Sequence, residues 1–222
     1  MADIIFVVRT NPTDGRHQEM NHWYTNRHIV DVVGMDGFAA AQRFTITDET
    51  QRNTHRYGYL AFYEAENVKT AITSLVAARG TPKMPMSDAL GPDRGSTYYE
   101  AVDGKTGLIG GKARKSVYVE FLNPAGEDSD FAASYVAQTL PAIGALPGFA
   151  GGRLLRAHAD TPTTPVFRYV AIYELADQAL AIQFLATAKI PSPARSAEIE
   201  AFFFTAVCER LAKQDALRLL AA

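Results

Sequence analysis

The chain has 222 residues, of which 47% are hydrophobic and 21% charged, and a net charge of −2 at neutral pH. That balance is ordinary for a soluble globular protein and carries no basic footprint for nucleic acid or an anionic membrane surface. The single cysteine, Cys208, excludes an intrachain disulfide, and within the apolar run Phe202–Cys208 it reads as a small buried hydrophobe.

Met1–Ile5 shows no basic segment or cleavage site, and no apolar run approaches the ~20 residues a bilayer span needs, so a cytoplasmic chain without a membrane partner is expected. Ile4–Val8 is continuously apolar, the pattern of a strand buried on both faces. Residues 15–33 read as a helix, with Met20, Trp23, Arg27 and Val30 on one stripe, punctuated by Gly34 and Gly37. Residues 38–47 alternate with period two and predict a strand. A polar hairpin connection, 48–55, leads into a strand over 56–64. A helix over 66–79 ends at Gly80. The Pro- and Gly-rich loop Thr81–Gly95 carries Met84 and Met86, and either a lid or an inert insertion would account for it. Ser96–Val102 is the fourth strand.

The same order then recurs over 116–122, 129–145, 149–157, 166–174, 177–188 and 199–209. Asn11-Pro12 is answered by Asn123-Pro124, Gly37-Phe38-Ala39 by Gly148-Phe149-Ala150, and Tyr59–Glu64 by Tyr169–Glu174, at a steady offset of about 110 residues. The reading is an α+β chain of two ferredoxin-like βαββαβ repeats. Residues 1–103 form the first half, 104–114 a glycine-rich linker and 115–222 the second half, with the basic residues Lys112, Arg114 and Lys115 read as solvated. Strand residues of both parities are apolar, so the face of each sheet away from its helices needs a cover. The simplest cover is the other half, which gives an intrachain barrel with helices outside.

The repeats differ in their polar chemistry. Where the first has His22-Trp23-Tyr24 and His28-Ile29-Val30-Asp31, the second has Ala133-Ser134-Tyr135 and Thr139-Leu140-Pro141-Ala142. Trp23-Tyr24, His28, Asp31 and Gly37-Phe38, with Arg43-Phe44 beyond, resemble the EthD-like family of the dimeric α/β-barrel superfamily. Asp36 departs from that family's Pro-Gly-Phe, which Pro147-Gly148-Phe149 keeps. The resemblance implies a fused pseudo-dimer. Its superfamily spans cyclases, isomerases, cofactor-free and heme-degrading monooxygenases and stress proteins, so fold alone does not choose a reaction.

On a helix of period 3.6, His17, Asn21, Tyr24, His28 and Asp31 share one stripe. His28 is then the candidate general base, Asp31 its orienting carboxylate and Tyr24 a donor to a developing oxyanion. A water-facing polar helix face is the competing reading. Trp23, Arg43, Tyr57 and Tyr59 are the candidate substrate-binding residues, with Tyr63 on the same strand face. Arg43 would either clamp an anionic substrate group or pair with Asp31 or Glu64. His22, His55 and His158 read as solvated. No His-x-His, His-Glu-x-x-His, cysteine cluster or phosphate-cradling glycine loop appears, so neither metal nor cofactor is expected. The expected function is a cofactor-independent lyase, isomerase or cyclase acting on a hydrophobic aromatic or polyketide-like oxygenated small molecule. The alternatives are a cofactor-free monooxygenase on a phenolic or quinone substrate and a non-catalytic stress or binding protein. The second half reads as a degenerate site, and a homodimer of pseudo-dimers remains open.

Overall fold

Alternating strands feed two different cores, and that doubling shapes the molecule. The computed structural model describes residues 3–48, 56–107, 114–125, 127–191, 193 and 200–222. In chain order come β1 (Ile4–Pro12), α1, β2 (Phe38–Ile46), β3 (Tyr59–Ala65), α2 (Val68–Ala78) and β4 (Leu90–Gly107). The second half supplies β5 (Ser116–Leu122), α3, β6 (Phe149–Ala157), β7 (Tyr169–Leu175), α4 (Gln178–Leu185), β8 (Glu200–Ala206), the short β9 (Leu211–Ala212) and α5 (Lys213–Leu220). Helix α1 runs His17–Trp23, widens into a π-helical turn at Tyr24–His28 and resumes over Ile29–Gly34. Helix α3 does the same, with its wide turn at Tyr135–Thr139 between Asp128–Ser134 and Leu140–Gly144.

All strand pairs are antiparallel. The order is β2-β3-β1-β4 in the first half and β6-β7-β5-β8 in the second, and the β4–β6 and β2–β8 pairs join the two into a closed ring of eight strands. Closure leaves no edge along those strands. The fold is thus α+β, an eight-stranded antiparallel barrel with five helices among the described residues.

One face of each strand points into the barrel, where Ile5, Phe44 and Phe62 meet Val119, Leu155 and Phe204. The other face carries the helices. Phe6, Tyr63 and Ala41 pack under α1 and α2, and Leu154 and Tyr173 under α3 and α4. Side chains of both parities are therefore buried, as their apolar character requires.

Several boundaries differ from the sequence expectation. The fourth strand starts at Leu90, within the expected loop, because Pro92, which has no N–H to donate, sits at a register shift between β1 and β4. The strand also continues through the first residues of the expected linker, with Lys105, Thr106 and Gly107 paired to β6. Arg114 is buried and its Nε donates to Glu174 Oε1 at 2.5 Å, so this part of the basic cluster is a core ion pair and not a solvated linker. The hairpin residues 49–55, His55 among them, and Lys112 lie outside the described residues. Helix α5, for which no sequence signal was read, packs on the last segment of α1.

Candidate active site

Between the helix-bearing face of the first half's sheet and the helices above it lies a cavity of about 140 Å3. Phe6, Val8 and Thr10 come from β1, Tyr24, His28 and Val32 from α1, and Tyr63 from β3. Leu75 and Arg79 at the end of α2, Met84 and Met86 from the following loop, and Leu90, Arg94 and Ser96 from β4 complete it. The volume is close to the ~150 Å3 void that accepts one benzene ring. No aspartate or glutamate lines it.

His28 is fixed by aromatic contacts. Its ring stacks on Trp23 with centroids 4.7 Å apart, and meets the Tyr24 ring edge-on at 4.7 Å. Its Nδ1 is buried without a hydrogen-bond partner. Burial, reinforced by the positive charges of Arg43, Arg79 and Arg94, lowers the His28 pKa to about 3, so the imidazole is neutral at physiological pH. The Tyr63 hydroxyl donates to the Tyr24 hydroxyl at 3.2 Å, and burial holds both phenols protonated. The His28 ring and the phenol pair line this mostly apolar void, where a ligand could meet them.

The expected His28–Asp31 pair does not form. The Asp31 carboxylate accepts instead from Arg27 Nε at 2.7 Å, one helical turn back, and lines a separate surface groove with Met35 and Lys83. The wide turn of α1 breaks the 3.6 period that the stripe assumed, and a full positive charge outcompetes a neutral imidazole for the carboxylate. Asp31 therefore cannot set the tautomer of His28.

Arg43 pairs with neither Asp31 nor Glu64. It is buried on the helix side of β2, donating from Nη1 to Thr25 Oγ1 at 2.7 Å and from Nη2 to Asn21 Oδ1 at 3.1 Å. Its guanidinium lies 4.1 Å from the centroid of the Tyr24 ring, a cation–π contact beneath the cavity floor. It lines no part of the cavity, so it supports Tyr24 and does not clamp a ligand. Glu64 takes a bidentate pair from Arg210.

Tyr59 and Tyr57 also lie off the cavity. The Tyr59 hydroxyl accepts from Asn21 Nδ2 at 3.0 Å and lies 3.2 Å from His17 Nδ1. Tyr57 precedes β3 and donates to Asp93 at 3.1 Å. Trp23 does not line the cavity and touches it through His28 and, edge to face at 5.5 Å, through Tyr24. His22 bonds locally with Asn26, and His158 lies near Glu100 and Asp160. Of the residues the sequence reading named, Tyr24, His28 and Tyr63, with Met84 and Met86 of the loop, line the cavity, and Arg79 and Arg94 were missed. Their one signal was that they bracket the Met-bearing loop.

At the equivalent place in the second half a carboxylate joins the phenol pair. Glu120 stands where the first half has Val8, accepting from Tyr118 at 2.9 Å and from Tyr135. The hydroxyls of Tyr135 and Tyr173 lie 2.8 Å apart, repeating the Tyr24–Tyr63 pair. Among the described residues, no three His, Cys, Asp or Glu side chains gather where they could hold a metal ion, and no helix is long and apolar enough to cross a membrane.

No protein-family model matches the chain, and no curated protein matches it. Its likeness is to solved structures. An anthrone oxidase-like protein superposes with a TM-score of 0.66 at 13% identity, over 95% of this chain and 92% of its own. A candidate monooxygenase from Fusobacterium nucleatum gives 0.58 at 10% identity over 94% of both chains. A candidate monooxygenase from Lactobacillus acidophilus gives 0.56 at 6% identity, over 95% and 96%. These likenesses span nearly the whole of each chain, and at such low identity they show a shared barrel fold and nothing finer.

Proposed function

We propose that the protein is a small-molecule enzyme that moves a proton between His28 and a hydrophobic, oxygenated, ring-bearing substrate held in the first-half cavity. The observation that carries this reading is the neutral, half-buried His28 imidazole, its Nδ1 unpartnered, lining an otherwise largely apolar void. With a pKa of about 3, His28 is a weak base. It becomes effective only when the proton it takes leaves an anion beside it, because that charge offsets the cost of a buried imidazolium. The substrate proton must therefore be acidic, as in a phenol or a CH2 between a carbonyl and an aromatic ring. Tyr24, held by Tyr63 and lying over Arg43, is placed to donate a hydrogen bond to the oxyanion that forms. Asp31 has no part in this mechanism.

Such an anion supports isomerisation, cyclisation or elimination. Oxygenation is the second reading: the anion would react with O2, converting a ring CH2 to a carbonyl with release of one water. The names of the anthrone oxidase-like and monooxygenase neighbours favour it. The EthD-like resemblance at Trp23, His28 and Gly37-Phe38 fits either. On this reading the chain is a tandem duplication with halves at 1–103 and 115–222, and only the first retains a working cavity.

Incubation with cell metabolites and candidate phenolic or ketonic aromatics, read by mass spectrometry with an oxygen electrode alongside, tests the proposal. His28→Ala should lower turnover by about 100- to 10,000-fold. Tyr24→Phe should slow the reaction by a smaller factor. Turnover at the wild-type rate in His28→Ala rules out the mechanism, and oxygen uptake in step with product selects the second reading.

A further inference from the structure

The cavity has a polar end that the proton-transfer reading does not use. Arg79 and Arg94 both line it, one just past the end of α2 and the other on β4, and both are exposed, whereas Phe6, Tyr24 and Tyr63 at the far side are buried. The two arginines thus stand at the mouth and the aromatic groups form the floor. Most arginines of the molecule are matched to a carboxylate, as in Arg9–Glu200, Arg27–Asp31, Arg114–Glu174 and Arg210–Glu64. The side chains of Arg79 and Arg94 have no such partner among the described residues, and no acid lines the cavity that holds them. Two guanidiniums lining one cavity without a counter-charge raise each other's free energy, and partial burial first, then the charge of Arg79, lowers the pKa of Arg94. An anion between them would remove that repulsion. A planar carboxylate suits the fixed fork of a guanidinium, which binds it through two parallel N–H bonds.

We infer that the cavity takes an aromatic carboxylic acid, its ring inserted toward His28 and Tyr24 and its carboxylate held at the mouth by Arg79 and Arg94. This rests on the reading of the cavity as the substrate site and names the class of molecule that enters it. The space of about 140 Å3 accommodates one ring. Thr10, Met84 and Leu90 also line the space, and Met86, exposed like the two arginines, lines it with them. Polarity along the cavity thus runs from neutral and aromatic at depth to cationic at the opening, and it fixes which end of an amphipathic acid goes in first.

Trp23 is the only tryptophan and stacks on His28, so its fluorescence reports occupancy independently of turnover. The probes are benzoate and 4-methylbenzoate, each against its uncharged alcohol, benzyl alcohol and 4-methylbenzyl alcohol. Each acid should bind at least about tenfold more tightly than its alcohol, with the margin shrinking as salt is added. Arg79→Gln combined with Arg94→Gln should abolish that margin and leave affinity for the alcohols within about twofold. Both side chains are exposed, so the variant should fold. His28→Ala should retain the margin, read by isothermal calorimetry because the Trp23 stack is altered. Equal binding of acid and alcohol, a margin that survives the double substitution, or no binding of either probe at millimolar concentration would overturn the inference. The proton-transfer reading fails separately, through undiminished turnover in His28→Ala, so the two failures can be told apart.

Discussion

His28 couples the chemistry of the site to the stability of the protein. Its pKa is about 3 in the folded chain against about 6.5 in the unfolded one. Between those values the unfolded chain takes up a proton that the native imidazole refuses. Stability therefore falls as pH drops through 6.5, and the loss is complete below about 3. At pH 4.5 this group alone should cost on the order of 3 kcal/mol relative to pH 7. In His28→Gln the acid limb of stability against pH, followed by urea denaturation, should flatten by about that amount, and an unchanged limb would mean that His28 is not buried as a neutral ring. Asp31 makes the opposite case. It pairs with Arg27 and lies off the cavity, so Asp31→Asn should leave turnover within about twofold of wild type. A loss near that of His28→Ala would restore the orienting role. The sequence made Tyr24 and His28 visible because the second repeat keeps Tyr135 and replaces His28 by Thr139. Asp31 and Arg43 were misread because helical spacing reports the face of a regular helix and not which neighbour wins a charge.

The wide turn explains much of that misreading, and it occurs at the same place in both halves, Tyr24–His28 and Tyr135–Thr139. Its recurrence marks it as part of the framework, and in the first half it carries Tyr24 and His28, two of the residues that line the cavity. A second repeated device is the glycine that ends each such helix segment's connection to the next strand. Gly37 has φ +89°, and a Cβ there would lie 2.5 Å from the backbone nitrogen of Ala71 at the start of α2. Gly148 has φ +91° and meets Ala181 of α4 at 2.4 Å. The Gly-Phe pairs seen in the sequence are therefore close-approach points between strand and helix. Asn67 and Asp177 cap those same helices, accepting from the backbone of Thr70 and Leu180. Gly37→Ala should cost roughly 2–5 kcal/mol, from left-handed strain plus overlap with a backbone atom that cannot move aside. Gly15→Ala, at φ +75° with nothing within 4 Å, should cost only about 1–2 kcal/mol. Equal shifts in urea midpoint for the two would refute the packing argument. Strand periodicity placed the sheet elements well, yet Pro92 read as a loop because a bulge that accommodates it leaves no sequence mark.

Closure of the barrel makes the two halves one structure. The interior core draws from both, so neither sheet buries its inner face without the other. The apolar character of both strand parities was enough to anticipate a barrel closed within the chain, since an uncovered apolar sheet has few other solutions. The contribution of α5 was hidden, because a short helix far along the chain gives no sign that it will cover Gly34 of α1 with Leu220. Interdependence of the halves has a measurable consequence. Phe44 on β2 and Phe204 on β8 are both buried in the shared core, and their strands pair across the seam, with Phe44 opposite Ala206. Truncating either to alanine should cost about 3–5 kcal/mol. Trp23 reports only on the first half, whereas far-ultraviolet circular dichroism reports on the whole chain. In Phe204→Ala the substitution lies in the second half, yet the Trp23 transition in urea should move to lower denaturant by the same amount as the dichroism transition, and Phe44→Ala should behave alike. If the Trp23 transition stays in place while the dichroism curve splits in two, the halves unfold independently and the barrel is not a single cooperative unit.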